Sequence, residues 1–336
     1  MAKKDDGVEV EVSGRAVRVS SPAKVLFEER GETKLDLVNY YLAVEDAALR
    51  AMQGRPVLME RYPNGATGKS FFQKRVPDSA PDWLAQTIVS TPNGTTSNAL
   101  VIEDLAHVIW AVNMGCLGFH VWPGKAADPG SADELRIDLD PFGGTGFEEA
   151  RAAAGAVKAL FDELGIVAWP KTTGNRGIHI YVRLQPRWDG FEVRRAAIAV
   201  ARELARRHPD RITDAWWKEE RGQRIFVDFN QNAPHKTVFG AWSVRARVGA
   251  QVSTPFAWDE LDTISPDELT IATVPGRADA WAHADDTPQS LEPLLAMWDA
   301  DIESGLTDLP WPPVYPKMPG EPPRVSPSRA KKPAAE

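Results

Sequence analysis

Residues 135–142 read LRIDLDPF, with the glycine-rich GGTG directly behind them at 143–146. The residues alternate as in a strand with one buried face: Leu135, Ile137 and Leu139 on one side, Arg136, Asp138 and Asp140 on the other. Two aspartates on one strand face sit roughly 6.5–7 Å apart at the backbone, and burying a carboxylate without a positive partner is costly. A divalent cation held by oxygen ligands removes that cost, and Mg2+ or Mn2+ suits such ligands. The competing reading pairs both aspartates with arginines at a strand end, and the spacing alone does not separate the two.

RIFVDFN (224–230) repeats the pattern, with Ile225, Val227 and Phe229 facing one way and Phe226, Asp228 and Asn230 the other. Three acids on two strands suit a pair of cations about 3.5–4 Å apart, the spacing that clamps attacking and leaving oxygens in phosphoryl transfer. KTTGNRGIHIYV (171–182) sets a flexible turn, Gly174 to Gly177, between Thr173 and the strand carrying His179. Glycines let backbone N–H groups approach a phosphate, and the hydroxyl, the Arg176 guanidinium and the imidazole add donors. An ordinary hairpin with a core histidine fits the same letters.

Around these strands lie helical patterns. DLVNYYLAVEDAALRAM (36–52) reads as one helix, and a second starts at Thr145, where TGFE fits a capping box with Glu148. Phe147, Ala150, Ala154, Val157, Phe161 and Leu164 form one apolar stripe. Val193, Ala197, Val200 and Leu204 form another, with Arg194, Arg195, Arg202, Arg206 and Arg207 expected on its outer face. Interleaved strands and helices predict α/β or α+β layers.

The 336 residues are 43% hydrophobic and 26% charged, ordinary globular composition. A single cysteine, Cys116, excludes a disulfide framework and a four-cysteine zinc site, so no zinc is expected. The polar start and the lack of a membrane-length apolar run predict a soluble, cytoplasmic protein with no membrane partner. Net charge is −8, but residues 257–310 hold thirteen acids against Arg277 alone, which leaves residues 1–256 near +1. The global acidity therefore does not exclude a basic groove for nucleic acid. The basic, proline-rich stretch 317–336 is expected to be a disordered tail, and 1–14 an N-terminal extension before a domain spanning 15–310. GATGKS (65–70) imitates a phosphate-binding P-loop, but the glycine that pattern requires is Pro63 here.

DLD, then TGNRGIH, VDFNQN and WSVRAR, in that order, resemble the archaeo-eukaryotic primase superfamily, and most closely the polymerase domain of bacterial ligase D and related stand-alone primase–polymerases. The resemblance runs over roughly residues 15–300 and implies a primase-type core of mixed and antiparallel sheets flanked by helices. It implies that Asp138, Asp140 and Asp228 bind two catalytic metals, preferentially Mn2+. It further implies that Thr173 (more often serine in the family), Arg176, His179, Arg245, Arg247 and His120 hold the incoming nucleotide, and that Arg221 lies on a mobile, DNA-binding loop that orders the site.

The same resemblance assigns Lys24 and Lys34 to a downstream 5′-phosphate, and Phe71 and Phe72, flanked by Arg61, Lys74 and Arg75, to template bases. An aromatic pair beside cations suits nucleic acid, since a π face accepts any base; on the residues alone a core pair competes. STPNGTTSNAL (90–100) is expected as a loop near the DNA. The implied function is template-directed nucleotidyl transfer onto primer ends at gapped or broken DNA. Nucleoside triphosphates, ribo before deoxy, are the substrates, and a separate DNA ligase and Ku are the partners, at the bacterial nucleoid. A metal-dependent nuclease and a non-catalytic end-binding module remain the alternatives.

Overall fold

The computed structural model describes residues 7–326. Two largely antiparallel sheets, one of five strands and one of six, are flanked by helices in an α+β fold. The five-stranded sheet runs Trp169–Thr172, Ile178–Asp189, Ser131–Pro141, Ile225–Val227, Ile212–Thr213, and only its last pair is parallel. Leu135, Ile137 and Leu139 are at most 1% exposed, and the helices Phe147–Glu163 and Gly190–Arg207 pack against their strand. Each such side chain taken out of water contributes roughly 1.5–3 kcal/mol, which leaves the opposite face of the strand free for chemistry.

The six-stranded sheet orders Val238–Phe239, Cys116–Val121, Arg55–Arg61, Thr96–Ile102 and Gln86–Ser90, with Phe71–Gln73 added along Arg55–Arg61. The segment 240–256 ties the two sheets together. Gly240 N donates to Phe119 O at 2.8 Å on one side, and Thr172 N donates to Thr254 O at 2.9 Å on the other. Among the described residues no helix is long and apolar enough to cross a membrane.

Several expectations are corrected. The helix read over 36–52 is two, Lys34–Ala43 and Glu45–Met52, broken at β-branched Val44 with φ −113° and ψ 20°. The second helix starts one residue later than read. Gly143 and Gly144, at φ 66° and 100°, fold a turn that engages the Thr145 hydroxyl with Phe142 N at 2.8 Å, so Gly146 N donates to Glu149 Oε2 instead. Residues 90–100 are no open loop. They carry the end of one strand, the Asn93-Gly94 turn and the start of the next, closed by Thr91 N donating to Thr95 O at 2.9 Å.

The boundary at residue 14 falls inside a hairpin, Val8–Val12 with Arg15–Val19, turned by Ser13 and Gly14 at positive φ. Its Val12 and Val17 are buried, so this segment belongs to the fold. Residues 317–326, expected disordered, are docked: Glu321 is 7% exposed and accepts from the backbone N–H groups of Trp311 and Met318. The rest of the expected tail, 327–336, and residues 1–6 lie outside the described residues.

Candidate active site

Strand register puts four chemistry-bearing residues in one transverse row. Lys171 pairs with His179, His179 pairs with Asp138, and the N–H of Asp228 donates to the carbonyl of Asp138 at 2.9 Å. Cross-strand partners face the same side of a sheet, so this row stands on the polar face, with Asp140 two residues further along. The strand read over 224–230 is shorter than read and ends at Val227. Asp228 Oδ1 accepts from Asn230 N at 3.1 Å and turns the chain into the 3-10 helix Phe229–Asn232, a local bond that competes with the ladder. Asp228 Oδ2 accepts from Gln231 Nε2 at 2.9 Å.

The carboxyls are crowded. Burial pushes Asp138 up to about 6, and burial with the charge of Asp138 pushes Asp228 up to about 7. Asp140, at the exposed lip, is raised by burial of its inner side and again by Asp138. Lys171 is fully buried with its Nζ 2.6 Å from Ser253 Oγ, and burial with the charge of Arg245 holds its pKa far below the usual lysine range. His179 is 4% exposed. Its Nε2 lies 3.2 Å from Asp138 Oδ1, and burial with the Lys171 charge keeps it neutral near pH 7. Its Nδ1 is buried with no hydrogen-bond partner among the described residues.

Raised carboxyl pKa values in a shared niche are what an oxygen donor set shows before a hard cation offsets its repulsion, so these residues fit a divalent metal. Among the described residues no three His, Cys, Asp or Glu side chains are grouped so that they could already hold a metal ion. The carboxyls would have to draw inward around an ion.

Beside the acids lies an anion-friendly rim. Thr173 Oγ1 accepts from the N–H groups of Asn175 and Gly177, both at 3.2 Å, and so shapes the turn. Gly174 has φ 69°, and a Cβ there would stand 2.9 Å from Arg245 Cγ. Arg245 donates from Nε to Thr173 O at 2.9 Å and lies 3.4 Å over the Phe239 ring; burial lowers its pKa to about 10. Arg247 Nη1 donates to Asn175 Oδ1 at 2.6 Å, and exposed Arg176 acts on Asp140 through its charge. His120 contributes from the other sheet, 3.3 Å from Glu60 Oε2 and edge-on to both Phe72 and Phe239. A cavity of about 520 Å³ opens beside it, lined by Phe72, Lys74, His120, Trp122, Lys236 and Val314 among others.

The family described as LigD, primase-polymerase domain, matches residues 33–285. The chain belongs to that family. The polymerase domain from Mycobacterium tuberculosis ligase D, solved in complex with DNA, matches with TM-score 0.71 and 30% identity over 84% of this chain and 98% of that one. The multifunctional non-homologous end joining protein LigD of Mycolicibacterium smegmatis is 31% identical over 85% of this chain, and the bifunctional LigD of Bacillus subtilis 33% over 77%. The chain spans only 36% and 42% of those two relatives. LigD primase–polymerase domains are nucleotidyltransferases that depend on divalent metal, and the acidic row and basic rim are the features such a reaction needs.

The nucleic-acid side of this primase–polymerase departs from expectation in part. Phe71 and Phe72 are 46% and 53% exposed, so they are no core pair; the Arg61 guanidinium sits 5.1 Å from the Phe71 ring, and Lys74 and Arg75 are exposed. Lys24 is half-buried and donates to Pro63 O. Lys34 is 6% exposed, its ammonium held by Ser20 O at 2.7 Å, Asn113 O at 3.1 Å and Asn113 Oδ1 at 3.3 Å. Its ammonium is therefore covered and held by protein oxygens. Arg221, expected on a mobile loop against DNA, is 6% exposed in a single helical turn. It donates to Ala215 O and Trp216 O and lies 3.5 Å over the Phe226 ring, with Asp228 and Asp140 in range of its charge. His179, expected to hold the incoming nucleotide, lies with Nε2 3.2 Å from Asp138 Oδ1.

Sequence reasoning missed Lys171, Glu60 and Gln231. Lys171 was legible as the polar-face residue of its own short strand; Glu60 and Gln231 carry no local signal, because their partners come from other elements.

Proposed function

We propose that this nucleotidyltransferase extends primer 3′ ends into short gaps and broken ends of DNA, using nucleoside triphosphates and Mn2+ or Mg2+. The observation that carries the reading is the register that sets Asp228 beside Asp138, with Asp140 two residues on and a basic rim alongside. Asp138, Asp140 and Asp228 would hold two cations. Cations held by these residues would supply a lowered pKa for the primer hydroxyl and would offset charge that builds on the transferred phosphate. The hydroxyl oxygen bonds to the α-phosphorus as the bond to the β-phosphate breaks, its proton leaves to solvent, and pyrophosphate departs with the electron pair.

The chain's own groups orient this step. Arg245, Arg247, Arg176 and the turn shaped by Thr173 bind the triphosphate; Lys171, in the same row as Asp138, favours its ionised form; and the cavity beside His120 takes the nucleoside. Phe71 and Phe72 offer stacking faces to the template, and Lys24 a cation for a downstream 5′-phosphate. The solved relative is bound to DNA and the curated relatives are named for non-homologous end joining, which supports a role in break repair with a ligase, and Ku, supplied by other domains or proteins. Ribonucleotides with Mn2+ are the favoured pairing, and the catalytic unit runs from the first hairpin to the docked segment after residue 310.

Extension of a gapped duplex, comparing ribo- with deoxyribonucleotides and Mn2+ with Mg2+, tests the reading. Products lengthened by added nucleotides support it. Shortened products, or tight gap binding without extension under any pairing, would overturn it.

A further inference from the structure

Asp228 sits just past the end of a strand, where a catalytic carboxyl would ordinarily be free to drift. The strand Ile225–Val227 pairs with Leu139–Pro141, and the ladder then continues by a single backbone bond from Asp228 N to Asp138 O. The next position along that edge is Arg136, whose own N–H and C=O need partners in the buried sheet. Asn232 supplies both. Its Oδ1 accepts from Arg136 N at 2.8 Å and its Nδ2 donates to Arg136 O at 2.7 Å, with the residue 3% exposed. A side-chain amide thus replaces the backbone of a missing strand residue.

Asn230, two residues earlier, faces away from that edge. It accepts from Arg194 Nε at 2.8 Å and donates to Pro310 O at 3.1 Å, and Arg194 also donates to Asp308 Oδ1 and Leu309 O. The 3-10 helix that follows Asp228 is therefore fastened on one side to the Asp138 strand and on the other to residues 308–310, beyond the region matched by the family.

Resting on the reading of the three acids as a metal site, we propose that Asn232 is a positioning residue that sets the spacing of Asp228 and Asp138 for a cation. It touches neither metal nor substrate and acts through the backbone of Arg136. Loss of its amide frees the helix from the strand edge while Asp228 keeps its own carboxyl.

Mn2+ alone, titrated into wild-type protein, Asn232→Ala and Asn232→Asp, tests this, with free Mn2+ counted by its electron paramagnetic resonance signal. Asn232→Asp keeps the shape and the acceptor toward Arg136 N but sets a carboxylate oxygen against Arg136 O, so it breaks the second bond without leaving a cavity and carries the test where the alanine variant folds poorly. Mn2+ binding should weaken about 10–100-fold in both variants, the loss common when a partner of a metal ligand is removed. The Mn2+ concentration for half-maximal extension should rise in parallel while affinity for gapped DNA holds. Wild type and variants binding Mn2+ equally would overturn the role of Asn232 and leave the metal site standing. Wild type binding no Mn2+ would overturn the metal site itself, and Asn232 with it.

Discussion

Asp228 N donates to Asp138 O at 2.9 Å, so two carboxyl-bearing residues from segments ninety positions apart in the chain stand side by side just past the end of the strand Ile225–Val227. Their carboxyls repel, and burial sharpens the repulsion: Asp138 is pushed up to about 6 and Asp228 to about 7.

A carboxyl whose pKa rises on folding stabilises the fold below its unfolded value, near 3.8, and loses that contribution as pH climbs through the folded value. In metal-free protein at pH 8, Asp228→Asn should therefore raise stability by about 1 kcal/mol or more, and with Mn2+ supplied extension by the variant should fall at least about a thousandfold below wild type. Melting curves in chelator and a gel-based extension assay read the two effects. Added Mn2+ should raise the wild-type Tm and leave that of the variant unchanged. A variant that still extends primers would refute the assignment.

Phe72 is 53% exposed and meets His120 edge-on at 5.2 Å. Phe72→Ala should leave folding intact and weaken binding of gapped DNA by about 1–3 kcal/mol, roughly 5- to 150-fold, if a base stacks there. Unchanged binding in a titration with gapped duplex would remove the aromatic from the DNA surface.

Lys24 and Lys34 should separate cleanly. Lys24→Ala should reduce the preference for a 5′-phosphorylated over an unphosphorylated gap, with little change in Tm. Lys34→Ala should lower Tm by several degrees, because hydrogen bonds from a buried ammonium are worth about 1.5–3 kcal/mol each. Equal Tm values for the two variants would contradict the buried role of Lys34.

Glu134 lies among Arg55, Arg136 and Arg183. Burial alone would raise its pKa, but the charges of Arg55, Arg183 and Arg136 outweigh it and bring the carboxyl down to about 2. Its ionised form is thus favoured by folding. The contribution is fully present above about 4.5 and is lost as pH falls toward 2, a swing of roughly 3 kcal/mol. Urea midpoints between pH 7 and 2.5 should show this loss in wild type and a shallower slope in Glu134→Gln.

The order of the acids, their shared strand face, the helices behind them and the turn at Thr173 were all legible in the chain, because alternation and 3.6-residue periodicity are local properties of adjacent side chains. Those same local signals misplace Arg194, expected on an outer helix face and 1% exposed in the fold. A long cation looks like a surface residue until the fold shows what lies over it: Asp308 and Trp311 over Arg194, carbonyls of residues 20 and 113 around Lys34. The reverse holds for Phe71 and Phe72, apolar in sequence yet left open on a short added strand. Burial and register belong to the contact between distant segments, and only the tertiary structure decides which charge is covered and which carboxyls meet.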